Sequence, residues 1–199
     1  MRQVIVFEWM SLDGVVQAPG APDEDTSGGF QHGGWALPYF EDVSSQRWVA
    51  ENIVGAGGYL FGRRTYEILG AYWPNSSSEE ERVLAEPLNT KAKYVASRTL
   101  SEPLPWQNSR LLQGDVGAAV AALKEEDGGD LLVIGSTDLV RTLVEHDLVD
   151  EFRLMIDPVL LGGGKRLFPG DGLLRALRLV DSQATTMGAI LATYTPAES

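Results

Sequence analysis

The apolar residues of this chain gather into short, nearly unbroken runs, and this constrains its fold more than any other feature. A strand with one wet face alternates apolar and polar residues, whereas a strand covered on both faces is apolar throughout. Val4–Trp9 is interrupted only by Glu8 and predicts a strand buried on both faces. Tyr59–Phe61, Lys93–Ala96 and Leu131–Ile134 predict three more strands, and Arg110–Leu112 a further short one. Helical stripes stand between them. Pro38 introduces a helix over Tyr39–Val54, with Val49, Ala50 and Ile53 on one side, stopped at Gly55–Gly58. A short helix over Arg64–Leu69 is expected to end at Gly70. Val116, Ala119, Val120 and Leu123 fall at i, i+3, i+4 and i+7, and Leu139, Val140, Leu143 and Val144 form a similar face. Phe152–Ile156, Ala176–Val180 and Ala189–Tyr194 then follow as strands. Alternation of strand and helix, closed by strands, predicts an α/β architecture. Its sheet is mostly parallel, flanked by helices, with an antiparallel addition at one edge. The 199 residues suit a single domain spanning the chain.

Charge and composition narrow the function. The chain carries 16 basic and 28 acidic residues, a net charge of −12, which argues against nucleic acid and membrane surfaces as partners. It has no cysteine, so disulfides, thiolate metal sites and a cysteine nucleophile are excluded. With only His32 and His146, a multi-histidine metal site is not expected. No apolar stretch approaches a membrane span and Glu8 breaks the first run, so a cytoplasmic location is the expectation.

In sheets of this kind ligands collect at the carboxyl ends of the strands. Three such ends carry small residues with hydroxyls: Gly62-Arg63-Arg64-Thr65, Ser97-Arg98-Thr99 and Gly135-Ser136-Thr137. The first N–H groups of a following helix are unpaired and partly positive, so a phosphate binds there with help from hydroxyls and an arginine fork. Ser136 and Thr137 equally suit a helix cap, and Arg63 and Arg64 an ordinary surface. In a chain this acidic, Arg63, Arg64 and Arg98 supply the local positive charge a phosphate needs. An arginine beside Ser97 favours a 2′-phosphate, hence NADPH over NADH. Ser11-Leu12-Asp13-Gly14 closes the first strand, either as a turn or against a reacting ring. Gln17–Gly34, rich in Gly, Pro and Asp, predicts a long loop near the same edge. No GxGxxG, P-loop, GxSxG or HExxH motif occurs.

Together these residues resemble the dihydrofolate reductase-like superfamily. Within it the similarity is to the reductase domain of bacterial riboflavin biosynthesis, the RibD C-terminal type, as a stand-alone member. The carrying residues are Ser11–Gly14, Gly62–Glu67, Ser97-Arg98, Gly135-Ser136 and Asp157–Gly164. The resemblance implies a three-layer α/β/α fold, NADPH as hydride donor and a homodimer. By resemblance, Gly62 to Thr65 and Gly135 to Thr137 bind cofactor phosphates, Ser97 and Arg98 face the 2′-phosphate, and Ser11 to Gly14 lie against the nicotinamide. In the folate enzymes a helix after Trp-x-Leu-Pro carries a buried carboxylate for the pterin. Here Trp35-Ala36-Leu37-Pro38 is followed by Phe40 at that position, with Glu41 and Asp42 next.

The implied chemistry is hydride transfer to a C=N or C=C bond of a pterin-like or pyrimidine-like molecule. The 5-amino-6-(5-phosphoribosylamino)uracil reductase-type activity is one instance. Asp13 and then Glu41 are the candidate acids, and Trp35 and Tyr39 the candidate stacking residues for a flat ring. The alternative is a nucleotide- or flavin-binding protein that catalyses nothing on the same scaffold.

Overall fold

The computed structural model describes residues 1–168 and 170–197. Its strands are β1 (Val4–Ser11), β2 (Gly58–Gly62), β3 (Ala92–Ala96), β4 (Ser109–Leu111), β5 (Leu131–Ile134), β6 (Glu151–Asp157), β7 (Leu177–Ala184) and β8 (Ile190–Pro196). The helices are α1 (Leu37–Phe40), α2 (Val43–Gly55), α3 (Arg63–Tyr72), α4 (Arg82–Thr90), α5 (Val116–Glu125) and α6 (Thr137–Glu145). One eight-stranded sheet runs in the order β4-β3-β2-β5-β1-β6-β8-β7. Every pairing from β4 to β6 is parallel, while β8 is antiparallel to both β6 and β7.

The two-sided burial of the apolar runs makes three layers. Along β1, Val4, Val6 and Met10 enter one core, with Val120 and Leu123 of α5 and Leu139, Val140 and Leu143 of α6. Ile5 and Phe7 enter the opposite core, with Val49 and Ile53 of α2, Tyr66 of α3 and Leu88 of α4. The parallel strands all present their carboxyl ends at one edge, where β2 runs into α3 and β5 into α6.

Four elements depart from the sequence expectation. The helix expected over Tyr39–Val54 is two helices. Asp42 leaves the helical region (ψ 130°) and its side chain accepts from the Ser44 and Ser45 N–H groups, so α2 begins afresh. α3 runs past Gly70 to Tyr72. Gly70 serves packing there rather than termination, because a Cβ would lie 3.3 Å from the Trp106 ring. α4 carries Pro87 inside it and was not anticipated. β7 also extends to Ala184, beyond the expected Val180. Among the described residues no helix is long and apolar enough to cross a membrane.

Candidate active site

A cleft of about 920 Å³ lies along the carboxyl edge of the sheet. That volume is in the range of small-molecule sites. Gly62 to Thr65, Ala96 to Thr99 and Ile134 to Leu139 line it, so all three strand ends singled out in the sequence meet there. Trp9, Leu37 and Phe40 supply its apolar wall.

Two helices open into this cleft by their N-termini. Gly62 precedes α3 and Ser136 precedes α6, and neither helix has a side-chain cap. By contrast, aspartates Asp42 and Asp115 cap α2 and α5. Unfilled N–H groups at two neighbouring helix starts create a positive, donor-rich surface. The two starts pack with no room for a side chain at either glycine. A Cβ on Gly62 would fall 1.8 Å from Ser136 Oγ, and one on Gly135 2.9 Å from Thr65 Oγ1. Gly135 and Ser136 both have positive φ, 66° and 78°, which turns the chain sharply from β5 into α6.

The arginines differ in their engagements. Arg63 pairs with Glu67 one turn along α3 (2.9 Å) at the surface. Arg64 reaches across to the 17–34 loop, donating to Asp25 Oδ1 (2.7 Å) and Ser27 Oγ (2.8 Å). Asp25 also takes Lys165 Nζ. Burial pushes the Asp25 carboxyl up, but hydrogen bonds from Lys165 and Ser27 hold it at about 2. The long loop is thus tied over the cleft rather than loose. Gln17 adds to this by donating to the Asp25 and Ser27 carbonyls and accepting from Lys165 N. Arg98 is exposed at the rim and forms no ion pair among the described residues. Ser97 Oγ accepts from Thr99 N and Leu100 N, so its hydroxyl closes a turn.

The remaining expected site residues do not line the cleft. Ser11 Oγ donates to Asp13 Oδ1 (2.7 Å) and accepts from Val15 N (2.9 Å). Asp13 also accepts from Leu161 N and Gly162 N and faces Arg166. The Ser11 hydroxyl and those N–H groups hold the Asp13 carboxyl down at about 2. Its hydrogen bonds tie the Ser11–Val15 turn to Leu161 and Gly162. Gly14 (φ 85°) closes the Ser11–Val15 turn, its N–H donating to the Ser11 carbonyl. Glu41 is exposed at the end of α1, outside the cleft. Trp35 donates from Nε1 to the Gln17 carbonyl (2.8 Å) and pins the loop. Tyr39 packs toward Met155, Ala189 and Leu191 behind the cleft. Phe40, which lines the cleft, stacks on the Trp9 ring, 5.6 Å away at 25°.

Sequence reasoning passed over two residues of the cleft floor. Glu8 is only 4% exposed, lines the cleft, and has Oε1 buried without a hydrogen-bond partner. Its neighbour Trp9 also lines the cleft with its indole N–H buried and unpartnered. Burial pushes the Glu8 carboxyl up to about 8, against a weaker pull from the Gly135 N–H, and Glu24 adds to the rise. The signal was present in the sequence: a single carboxylate in a run otherwise buried on both faces.

The family model described as the RibD C-terminal domain matches residues 2–191. The uncharacterized protein YyaP of Bacillus subtilis strain 168 is 34% identical over 137 residues, 68% of this chain and 71% of that protein. YwjB of the same organism, also uncharacterized, is 30% identical over 111 residues, 55% of this chain and 56% of its own length. Among solved structures, a riboflavin-biosynthesis-like protein of Shewanella sp. PV-4 superimposes with a TM-score of 0.69 at 20% identity, covering 98% of this chain and 99% of that one. A pyrimidine reductase-like protein of Corynebacterium diphtheriae gives 0.67 at 15% identity, covering 100% and 93%. Dihydrofolate reductase of Enterococcus faecalis, complexed with NADP(H), gives 0.58 at 13% identity, covering 98% and 97%. The fold is therefore the dihydrofolate reductase-like one, a mostly parallel mixed sheet between helical layers.

Proposed function

Since the chain belongs to the RibD C-terminal domain family, we propose that it is an NADPH-dependent reductase of a pterin-like or pyrimidine-like small molecule. The observation that carries this reading is the pair of uncapped helix starts, α3 and α6, opening side by side into one cleft. Two adjacent anion sites on backbone N–H groups suit the linked phosphates of a dinucleotide. The lack of room for a Cβ at Gly62 and Gly135 fits a cradle made of backbone. Gly62 to Thr65 and Gly135 to Thr137 would hold the diphosphate, and Arg98 at the rim would face the 2′-phosphate. Bound there, NADPH supplies a hydride. Trp9 and Phe40 would hold the flat acceptor, and the tethered loop would keep water from the reacting atoms. The 5-amino-6-(5-phosphoribosylamino)uracil reductase-type reaction belongs to this class, and pairing of two copies through the free β7 edge completes the reading.

Titration with NADPH and NADH, followed by tryptophan fluorescence, tests it. NADPH is expected to bind more tightly than NADH. Arg98→Ala should weaken NADPH by roughly tenfold or more and leave NADH within about twofold, as loss of one charge-assisted phosphate contact requires. Absence of binding by either nucleotide would sink the proposal. Binding without oxidation of NADPH by any pterin or pyrimidine acceptor would favour a binding protein that catalyses nothing.

A further inference from the structure

The helix termini and arginines of the cleft address phosphates, and none of them explains Glu8. This carboxyl stands in the middle of β1, beside Leu154 of β6 and next to the start of the Gly135 turn. It is nearly fully buried, lines the cleft, and leaves Oε1 without a partner. A buried polar atom without a hydrogen bond is costly, and it is retained where a ligand completes it. The Trp9 indole N–H, one residue on, is orphaned in the same cleft. An unpartnered carboxyl has no use on the apolar face that Glu8 shares with Val6 and Met10, opposite the face of Trp9, and a ligand in the cleft that Glu8 lines can complete it.

We infer that Glu8 acts as a neutral carboxylic acid on the cleft floor and donates from Oε1–H to an amide-type carbonyl of the bound ring system. This rests on the reductase reading above, which it deepens by naming the group recognised. An amide carbonyl is available from two sources: the carboxamide of a nicotinamide, or the lactam edge of a pyrimidine or pterin. The elements around Glu8 keep it neutral. β6 sets the apolar Leu154 beside it, and this burial outweighs the Gly135 N–H, which favours the charged form. From the loop, Glu24 is a second carboxylate that repels a charge on Glu8. Asp25 beyond it is already neutralised by Arg64 and Lys165. With Glu8 pushed up to about 8, the acid form holds at pH 7 and is lost as pH rises through that value.

The test uses the whole protein and three probes. These are NADPH, 2′-phospho-ADP-ribose (the same nucleotide without nicotinamide), and uracil added to protein saturated with NADP⁺. Each is titrated by tryptophan fluorescence between pH 6.5 and 9, with Glu8→Gln and Glu8→Leu beside the wild type. The amide of Glu8→Gln still donates but cannot ionise. The wild type is expected to lose about tenfold in affinity from pH 7 to pH 9 for the probe that carries the recognised carbonyl. Glu8→Gln should bind that probe within about threefold of wild type at pH 7 and show no such loss. Glu8→Leu should be weak at every pH. If NADPH shows this pattern while 2′-phospho-ADP-ribose does not, the carbonyl is the nicotinamide carboxamide. If uracil shows it, the carbonyl is the acceptor's lactam. Infrared difference spectra of wild type minus Glu8→Gln at pH 7 should show the carbonyl stretch of a protonated acid. An ionised Glu8 in those spectra overturns the inference. So do NADPH and uracil affinities that ignore both pH and the Glu8 variants while 2′-phospho-ADP-ribose binds normally, and this leaves the reductase reading standing. Failure of the wild type to bind any nucleotide removes both.

Discussion

Asp157 ends β6 fully buried, with neither carboxylate oxygen hydrogen-bonded. Burial pushes it from an ordinary 3.8 up to about 7. The sign follows from linkage. In the unfolded chain this group ionises above its ordinary value, whereas in the folded protein it keeps its proton up to about 7. The folded state therefore binds more protons across that window, and stability falls as pH rises from about 4 to 7. Asp157→Asn removes the titration and keeps the shape. It should stabilise the protein at pH 7.5 by on the order of 2 kcal/mol and change little at pH 4. Thermal melts at the two pH values decide this, and an equal effect at both would show that ionisation is not the cause. Asp157 and Glu8 also show how far single residues are legible. In the sequence Asp157 stands within the Asp157–Gly164 motif, and Glu8 breaks an apolar run. A carboxylate's sequence neighbours reveal that it lies in a strand. Whether its oxygens find partners depends on residues more than a hundred positions away.

At the scale of elements, the joint between α3 and α6 is the point where packing is tightest. Gly62 has an ordinary φ of −79°, so alanine suits its backbone, but the added methyl would collide with Ser136. Gly62→Ala should cost about 1–3 kcal/mol, a drop of several degrees in melting temperature. Ser136 holds a positive φ of 78°, where glycine is at ease, so Ser136→Gly alone should be close to neutral. The double variant should recover most of the loss, a coupling of about 0.5–3 kcal/mol in a double-mutant cycle. Simple additivity would show that the two helix starts do not constrain each other. The strand runs, the two clean helical stripes and the three strand ends were readable because burial on both faces and a 3.6-residue period leave direct marks on sequence. The break between α1 and α2 was not, because Asp42 caps α2 while also accepting from Thr186 on the β7–β8 hairpin (2.8 Å from its N–H). α4 was hidden by its own Pro87. Trp35 and Tyr39 had the right ring chemistry for a ligand but were taken by the loop and the rear core.

Over the whole molecule, the sheet has one edge that asks for a cover. All eight residues of β7 are exposed, including Leu177, Leu179 and Val180, and the strand pairs only with β8 among the described residues. A long exposed edge with apolar side chains invites strand pairing, and a second copy satisfies it by two-fold symmetry. Light scattering should give the mass of a dimer. Leu179→Lys with Val180→Lys should shift the protein to monomer without lowering NADPH affinity, since β7 lies far along the sheet from the strand ends that line the cleft. A wild-type monomer at high micromolar concentration would refute the pairing.

The α/β architecture, the parallel core with its antiparallel edge, and the three small-residue strand ends are legible in the residue pattern alone. These follow from local periodicity and from the rule that parallel strands share one carboxyl edge. Only the tertiary structure decided which side chains remain available to a ligand. Asp13 is the expected acid, but its carboxyl is held down by the Ser11 hydroxyl and further by the Leu161 and Gly162 N–H groups, about 150 positions away, and it lies outside the cleft lining. Glu8 breaks an apolar run in the sequence, and its burial between strands from both halves of the chain pushes its carboxyl up to about 8. The physical reason is that proton affinity and hydrogen-bond vacancy belong to a group's surroundings in space, and a sequence lists neighbours only along the chain.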